Sequence, residues 1–179
     1  MFPKYTSLIN GQKILIRKAE IEDASEILEF NDRVGEETDY LSYGSGEQGL
    51  TLRDHQKLID RSIHIGNWLI LLAEINEQIV GILNFRSGSR PRIKHTGVFG
   101  VMVLKNHWKL GIGRVLVKSL LEWAKTAKIR KINLKVRPDN TRAMDIYRKI
   151  GFIEEGRISR EFYINGKYYD NVLMGLELD

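Results

Sequence analysis

The sequence predicts an α+β protein with a single domain over residues 1–179, in which helices flank a central sheet that is mixed but mostly antiparallel. Two segments have the pattern of β-hairpins, one turning at Asn76-Glu77 and the other at Asn165-Gly166. Helical and strand-like segments alternate around these hairpins. No repeat, low-complexity tract or linker divides the chain, so one core is expected.

Composition places the chain among ordinary globular proteins, with 42% hydrophobic and 28% charged residues. Cysteine is absent, which excludes disulfides and thiolate metal sites, and no metal site is predicted. The first twenty residues contain no long apolar core, and no apolar run approaches the roughly 20 residues of a membrane helix. We therefore expect a cytoplasmic protein without a membrane anchor. A net charge of +5 weakly favours an anionic partner.

In the first half, "KILIRKAEIED" alternates apolar and polar residues and predicts a strand over 14–17. Asp23 is predicted to cap a helix that runs to about Val34. Four glycines between Gly35 and Gly49 indicate a loop or a broken helix. Thr51 is expected to open a second helix.

The other elements follow from the same patterns. They are strands over 68–74 and 79–86, a basic loop at 89–94, a strand within 95–105, a helix from Gly113 to about Ala127, a strand over 131–136, a short helix ending at Gly151, and a C-terminal hairpin.

The stretch "NHWKLGIGRVLV", residues 106–117, joins a strand to a helix through Gly111 and Gly113. A glycine turn at a helix start lets backbone N–H groups point at an anion, and the helix dipole adds to the attraction. Arg114 after the second glycine excludes a P-loop, and Leu116 excludes the third glycine of a dinucleotide motif. Taken alone, this stretch is equally consistent with a tight turn that holds no ligand.

A second motif lies downstream, with the pattern N-x-x-A-x-x-x-Y-x-x-x-G-F, formed by Asn140, Ala143, Tyr147, Gly151 and Phe152. The two motifs at this spacing resemble the GNAT superfamily of acyl-CoA N-acyltransferases. By element order the resemblance covers almost the whole chain, and it is most specific over 101–152. One departure is Trp108, which stands where the family usually has Gln or Arg. The backbone cradle does not need that side chain.

The resemblance implies acetyl-CoA as a co-substrate. Its pyrophosphate would lie on the turn formed by Lys109, Leu110, Gly111, Ile112, Gly113 and Arg114. Pantetheine would pair with backbone near Met102 and Val103, where the sheet splays open, and Asn140 would hydrogen-bond the pantetheine arm. Arg130, Lys131 or Arg148 would meet the adenosine phosphate, although solvated surface charge is the preferred explanation for any one of them.

Acyl transfer to an amine needs a neutral amine, a donor for the oxyanion and a proton for the leaving thiolate. The resemblance implies Tyr147 as the general acid; its alternative role is that of a core tyrosine. Alignment on the glycine turn places Gly97 where some branches carry a glutamate base. His95, or a water relay to Glu74 or Asp170, remains as an alternative route for the proton.

An acidic run precedes the second helix and is predicted to attract the acceptor amine. Five acids and one base, Arg33, lie between Asn31 and Leu50; the acids are Asp32, Glu36, Glu37, Asp39 and Glu47. We expect Glu36, Glu37 and Asp39 to contact the acceptor together with Tyr40 and Tyr163. A solvated polar loop is the equally weighted alternative.

The leading interpretation is an N-acetyltransferase that moves an acetyl group directly from acetyl-CoA to a primary amine on a small molecule or a protein N-terminus. A non-catalytic acyl-CoA-binding sensor is the first alternative, because no side chain is predicted for the base. A basic nucleic-acid-binding module is the second, given a pI near 9.4. The edge of the C-terminal strand weakly favours a homodimer.

Overall fold

The computed structural model describes residues 1–178. Its strands are β1 (Lys4–Ser7), β2 (Lys13–Lys18), β3 (Trp68–Ile75), β4 (Gln78–Ser87), β5 (Thr96–Val103), β6 (Lys131–Val136), β7 (Ile153–Ile164) and β8 (Lys167–Glu177). Its helices are α1 (Ala24–Glu37), α2 (Leu52–His64), α3 (Ile112–Thr126) and α4 (Thr141–Ile150). None of the helices in this part of the chain is both long and apolar enough to cross a membrane.

The eight strands form one sheet in the order β1-β2-β3-β4-β5-β6-β8-β7. All neighbouring pairs are antiparallel except β5 and β6, which are parallel and joined through α3. Both predicted hairpins are present, as β3–β4 and β7–β8. The prediction of a mixed, mostly antiparallel sheet is confirmed.

The parallel pair β5–β6 is paired over only part of its length. Its register runs from Thr96↔Lys131 to Val98↔Asn133 and stops there, although β5 continues to Val103 and β6 to Val136. Asn133 closes this end, since its Nδ2 donates to Thr96 Oγ1 over 3.0 Å. Beyond Val98 the two strands diverge, and the sheet has an open wedge, which we call the splay.

Helices cover both faces of the sheet and bury two apolar clusters. On one face, α3 and α4 pack on the sheet through residues such as Leu116, Leu120 and Met144. On the other face, α1 and α2 pack through Ile27, Phe30 and Ile59. Cβ of any other residue at Gly81 of β4 would stand 3.0 Å from Ile112, so this glycine lets the first turn of α3 approach the sheet.

The start of the first helix differs from the prediction. Asp23 does not cap α1 with its side chain, because the chain already enters a 3₁₀ turn at Ile21–Asp23, for which Glu20 is the N-cap. The Asp23 carboxylate instead accepts two hydrogen bonds from Arg17, each 2.7 Å long.

The end of that helix differs too. α1 runs through Gly35 to Glu37 instead of ending near Val34. The reason is packing, since an added Cβ at Gly35 would lie 2.8 Å from the backbone of Gly44. Glycine here serves close contact between helix and loop and does not break the helix.

The sheet edges also differ from expectation. β1, with only four residues, has no periodic pattern that predicts it. The C-terminal strand β8 lies between β6 and β7, so the free edge at that end belongs to β7. The prediction that the C-terminal strand forms the edge is therefore wrong.

Candidate active site

The glycine turn lies at the mouth of the splay, between the end of β5 and the start of α3. Lys109 and Gly111 adopt left-handed backbone with φ of 69° and 90°. The first hydrogen bond of the helix runs from the Val115 N–H to the Gly111 carbonyl, and Gly111 provides no side-chain cap. The N–H groups of Ile112, Gly113 and Arg114 therefore have no partner within the helix and can bind an anion.

Gly113 leaves space at this turn, because a Cβ added there would meet nothing within 4 Å. Lys109 and Arg114 of the turn line the cavity as cations, and so does Arg142 at the start of α4. A pyrophosphate, with its negative charge and acceptor oxygens, matches this combination of bare N–H groups, open space and positive charge. The residues present thus fit the diphosphate of coenzyme A.

Trp108 has a structural role that the sequence did not indicate. Its Nε1 donates a hydrogen bond to the Val103 carbonyl oxygen over 2.7 Å. The indole thereby fixes the turn to the last residue of β5. Where the family usually has a polar side chain, Trp108 thus forms a brace between the turn and the strand.

The backbone of β5 alternates between its two neighbours. The Leu104 N–H donates to Val80 of β4, and because antiparallel ladders alternate, the N–H groups of Val103 and Val101 point into the splay. Met102 pairs with β4 through its backbone, and its sulfur accepts a hydrogen bond from the Tyr43 hydroxyl over 3.3 Å. The backbone expected to pair with pantetheine is therefore that of Val101 and Val103, with Met102 contributing its side chain.

Helix α4 carries the second motif to the opposite side of the splay. The Asn140 Oδ1 caps this helix by accepting from the Ala143 N–H over 3.2 Å, so its amide nitrogen is the atom that can meet a ligand. Tyr147, two turns further along α4, packs edge-to-face on Phe99 and Phe152 with ring centroids 5.8 Å and 5.9 Å away. Burial raises the pKa of the Tyr147 phenol, so the hydroxyl stays protonated at neutral pH.

One cavity of about 950 Å³ connects these parts. The side of the cavity next to the glycine turn, which we call the donor side, is lined by that turn, Val101, Val103, Asn140 and Tyr147. The remaining side, which we call the acceptor side, is lined by residues of α1, α2 and the loop between them, together with Trp68, Asn84, Arg86, Lys135, Arg137 and Glu161. A volume of this size suits a cofactor arm together with a small acceptor.

The predicted acceptor residues are divided by the structure. Tyr40 lines the cavity, with its ring 5.1 Å from the Arg137 guanidinium. Glu36, Glu37 and Asp39 do not line it, and Tyr163 stands 65% exposed at the tip of the β7–β8 hairpin. The expectation that all five residues surround the acceptor is corrected on this point.

The acidic run instead holds its own loop together. Glu37 Oε2 accepts from the Lys105 N–H over 2.6 Å, and Glu36 accepts from Ser45 Oγ over 3.1 Å. Asp32 accepts from the Gly46 N–H over 2.6 Å. These carboxylates satisfy backbone and hydroxyl donors that the loop would otherwise leave unpaired.

The residues predicted as proton acceptors lie elsewhere. Gly97 faces the interior, because an added Cβ would stand 2.4 Å from the Phe85 ring. Glu74 is held by Arg17 at 2.5 Å, and Asp170 accepts from the Arg160 N–H over 2.9 Å. Neither they nor His95 line the cavity.

The candidates for the adenosine phosphate, Arg130, Lys131 and Arg148, are likewise off the lining. Lys131 is instead paired with Glu155 at 2.5 Å. Arg142, at the start of α4, does line the cavity.

Several lining residues on the acceptor side were not predicted from the sequence, because each comes from a different element. His55, on α2, is 4% exposed, and its Nε2 lies 3.1 Å from Gln48 Oε1. Burial lowers the pKa of its imidazole, so the ring is neutral at pH 7. Arg137 is 5% exposed, held by Asp139 over 2.5 Å and stacked 3.7 Å from the Tyr169 ring centroid.

Residues 35–152 match the family model described as Acetyltransferase (GNAT) family. The chain belongs to the GNAT acetyltransferase family. The resemblance inferred from the two motifs is thereby confirmed.

Three GNAT relatives mark the range of similarity. An acetyltransferase of the GNAT family from Streptococcus pneumoniae is 35% identical, with a TM-score of 0.89 over 92% of this chain and 99% of that one. A spermidine N(1)-acetyltransferase from Vibrio cholerae is 25% identical over 80% of this chain and 83% of its own. The L-amino acid N-acetyltransferase AaaT of Escherichia coli is 33% identical over 58% of this chain and 65% of its own.

This GNAT chain is accordingly an N-acetyltransferase. The named acceptors of its relatives differ in charge, since spermidine is a polycation and an amino acid carries a carboxylate. The family thus gives the reaction, while the acceptor depends on the lining of this chain's own cavity.

Proposed function

We propose that the protein binds acetyl-CoA in the splay and transfers the acetyl group directly to a primary amine. The observation that supports this most is the position of Tyr147 at the closed end of the splay. Pairing of β5 with β6 stops at Val98, and the ring of the next residue, Phe99, packs against the Tyr147 ring. A cofactor whose diphosphate binds the glycine turn at the open end would bring its thioester towards this tyrosine.

Each protein group then has one task. The N–H groups of Ile112 to Arg114 bind the diphosphate, with Lys109 and Arg114 adding charge. The Asn140 amide and the free N–H group of Val103 hold the pantetheine arm, and the free N–H group of Val101, which is nearer the closed end, polarises the thioester carbonyl.

In the reaction, the neutral amine nitrogen attacks the thioester carbon, and a C–N bond forms. The tetrahedral intermediate then collapses, the C–S bond breaks, and the sulfur takes the proton of the Tyr147 hydroxyl. The proton lost by the amine passes through solvent in the cavity and restores the phenol. Atoms and charge balance, with an N-acetylated product and free coenzyme A.

The route for the amine proton follows from the lining. Among residues 1–178, the carboxylates on the cavity wall are Asp139 and Glu161. Hydrogen bonds from Arg137 and Lys135 lower the pKa of these two carboxyls, which makes both of them weak bases. We therefore exclude these carboxylates as the first proton acceptor, and in this proposal water in the cavity takes the proton.

The acceptor in this proposal is a small molecule or a peptide with a free amine, contacted by Tyr40 and the acceptor side of the cavity. A cytoplasmic location, a single-domain organisation and a homodimer remain predictions. A nucleic-acid-binding role has no support from the comparisons or from the cavity.

A thiol-release assay with acetyl-CoA and a panel of primary amines tests the proposal. We expect coenzyme A release to depend on the amine, with an N-acetylated product found by mass spectrometry, and no product from matched alcohols. Tight acetyl-CoA binding without release for any amine would instead favour the non-catalytic sensor. Absence of an acetyl-CoA-dependent rise in melting temperature would refute the cofactor assignment itself.

A further inference from the structure

The charges on the acceptor side of the cavity do not balance. This wall carries three cations, Arg86, Lys135 and Arg137, and two carboxylates. Lys135 is paired with Glu161, and Arg137 is paired with Asp139 at 2.5 Å. Within residues 1–178, Arg86 has no carboxylate within salt-bridge distance, so the acceptor wall has one cation without a counter-charge.

Arg86 is an exposed residue whose side chain lies against an aromatic ring. It lies on β4 directly opposite Trp68 of β3, and its guanidinium carbon is 5.5 Å from the Trp68 ring centroid. Stacking on an aromatic face leaves the N–H donors in the plane of the guanidinium available to a planar acceptor. A carboxylate is the group that matches this fork with two parallel hydrogen bonds.

The pairing of β4 with β5 fixes where Arg86 lies relative to the splay. Arg86 pairs with Val98, and Val98 is the last residue of β5 that pairs with β6. The free cation therefore lies in the row of the sheet where the splay closes. The next residues on the same face are Asn84 and Gly100, about 7 Å further along the strands.

The two faces of the sheet divide the reactants at this point. Tyr147 packs on Phe99 from the face covered by α3 and α4. Arg86 points to the other face, which α1 and α2 cover, because strand residues alternate and its neighbour Phe85 is in the first cluster. An acceptor bound at Arg86 would thus approach the thioester from the side opposite the general acid.

The charges of the acceptor wall disfavour a polycationic acceptor. Both carboxylates on the wall already have a cationic partner, and a polyamine would have to approach an additional unpaired guanidinium. Like charges at close range oppose binding. An acceptor that carries its own negative charge would instead remove the imbalance.

We propose that Arg86 binds a carboxylate of the acceptor, and that the acceptor is a primary amine with a carboxylate next to it, as in an α-amino acid. The proposal rests on the function proposed above and specifies its acceptor. A single carbon separates the two groups of an α-amino acid, so a carboxylate on Arg86 would hold the amine near the closed end of the splay.

The experiment uses acceptors that differ only at the carboxylate: L-methionine, L-methioninamide and 3-(methylthio)propylamine. Spermidine tests whether a polycation is an acceptor. A tetrapeptide amide with aspartate at its second position tests whether the carboxylate bound by Arg86 belongs to a peptide side chain. Each is assayed with wild type, Arg86→Gln and Arg61→Gln. Arg61 is the matched control, because it also lies against Trp68, at 5.9 Å, but does not line the cavity.

We expect wild type to prefer L-methionine over its amide by about 10- to 100-fold in kcat/KM, the range of a charge-assisted hydrogen bond. Arg86→Gln should remove this preference through KM while leaving the amide and the acetyl-CoA Kd unchanged, and Arg61→Gln should keep it. If the tetrapeptide amide is preferred to L-methionine, the carboxylate belongs to a peptide side chain and the amino-acid class is wrong. Equal use of all three matched acceptors, preference for spermidine, or an equal loss on every acceptor in Arg86→Gln would overturn the proposal.

A binding measurement separates this proposal from the proposed function. L-methionine is titrated calorimetrically into the protein in the presence of coenzyme A. Arg86-dependent binding without turnover would support the carboxylate site and refute the transferase. Turnover of other amines without Arg86-dependent L-methionine binding would support the transferase and refute the carboxylate site. Absence of both would refute both.

Discussion

The donor side of the cavity presents mainly backbone, whereas the acceptor side presents side chains. On the donor side, N–H groups come from one continuous turn, 109–114, and from the free edge of β5. On the acceptor side, the lining is collected from α1, α2, β3, β4, β6 and β7. A cofactor that is the same throughout a family is thus met by main-chain atoms, and an acceptor that varies is met by side chains that can change without altering the fold.

The two sides also differ in how far they can be altered without altering stability. Gly113 on the donor side has open space around its Cβ position, whereas Gly35 behind the acceptor loop has backbone at 2.8 Å. A substitution at the first should damage binding and spare the fold. A substitution at the second should damage the fold first.

The largest expected effect comes from Gly113→Glu. Its Cβ meets nothing within 4 Å, and a carboxylate in the first turn of a helix favours the dipole, so the fold should keep its stability. The same carboxylate occupies the place of the diphosphate and repels it. We expect the acetyl-CoA-dependent stabilisation, about 2.7 kcal/mol at a hundredfold excess over Kd, to disappear.

Thermal unfolding with and without acetyl-CoA measures this effect. Gly66→Glu is the control, since Gly66 also has open space but does not line the cavity. It should retain the full shift. A normal acetyl-CoA shift in Gly113→Glu would show that the diphosphate binds elsewhere.

Tyr147→Phe should have the next largest effect, a loss of about 10²-fold in kcat. The ring keeps its contacts with Phe99 and Phe152, so acetyl-CoA affinity should remain nearly unchanged. The loss should appear equally in kcat/KM, because the proton is needed only as the intermediate collapses. Stopped-flow thiol release together with acetyl-CoA titration separates the two quantities.

The pH profile sharpens the same assignment. Because burial raises the pKa of Tyr147 above the ordinary phenol value of about 10, wild-type kcat should show no loss from its deprotonation below that pH. Turnover within a factor of about two of wild type in Tyr147→Phe would identify a packing residue instead.

Most of the residues predicted for the donor side line one cavity in the structure, and they could be predicted because their signals are local. Gly111, Gly113 and Asn140 each sit in a short motif, and all three line the cavity. The wedge in the sheet could be placed near Met102 and Val103 from the family resemblance. The brace from Trp108 to Val103 could not, since an indole at that position has no pattern of its own.

Sequence reasoning failed on the acceptor side for a physical reason. Arg86 is exposed and Glu161 is half-buried, neither has a distinctive sequence pattern, and only the register of the five strands from β4 to β7 brings them to one cavity. The structural role of the acidic run could not be predicted, because composition does not show hydrogen bonds. Glu37 and Asp32 accept hydrogen bonds from backbone N–H groups of their surroundings, which fixes the loop.

Gly35→Ala should test how far the acceptor loop depends on packing. Alanine in a helix interior normally adds up to about 1 kcal/mol of stability over glycine. Here its Cβ would lie 2.8 Å from the Gly44 backbone, and overpacking of this kind costs about 1–3 kcal/mol. We expect a net loss of stability and a higher acceptor KM, with the acetyl-CoA Kd unchanged.

Urea unfolding and steady-state kinetics measure these two effects. Gly66→Ala is the matched control and should not lose stability, because its Cβ has open space. A weaker acetyl-CoA affinity in Gly35→Ala would mean that the two sides of the cavity are not independent.

The smallest expected effect concerns His55, and it is a dependence of stability on pH. Burial lowers the pKa of this imidazole in the folded protein, whereas the unfolded chain binds a proton near pH 6.5. The unfolded state therefore holds more protons once the pH falls below that value, and the free energy of unfolding must decrease. Stability is fully present above about pH 6.5 and is lost as the pH falls towards the folded pKa.

Urea unfolding of wild type and His55→Gln between about pH 5.5 and 7.5 measures this slope. The carboxyls with lowered pKa values, such as Asp139 and Glu161, lose their contribution below their unfolded values near 4, outside that range. Glutamine preserves a hydrogen-bonding partner for Gln48 but cannot titrate, so the slope should flatten. His64→Gln, at the exposed end of the same helix, should leave the His55 contribution in place. If the slope persists unchanged in His55→Gln, protonation of this acceptor-side residue is not coupled to unfolding.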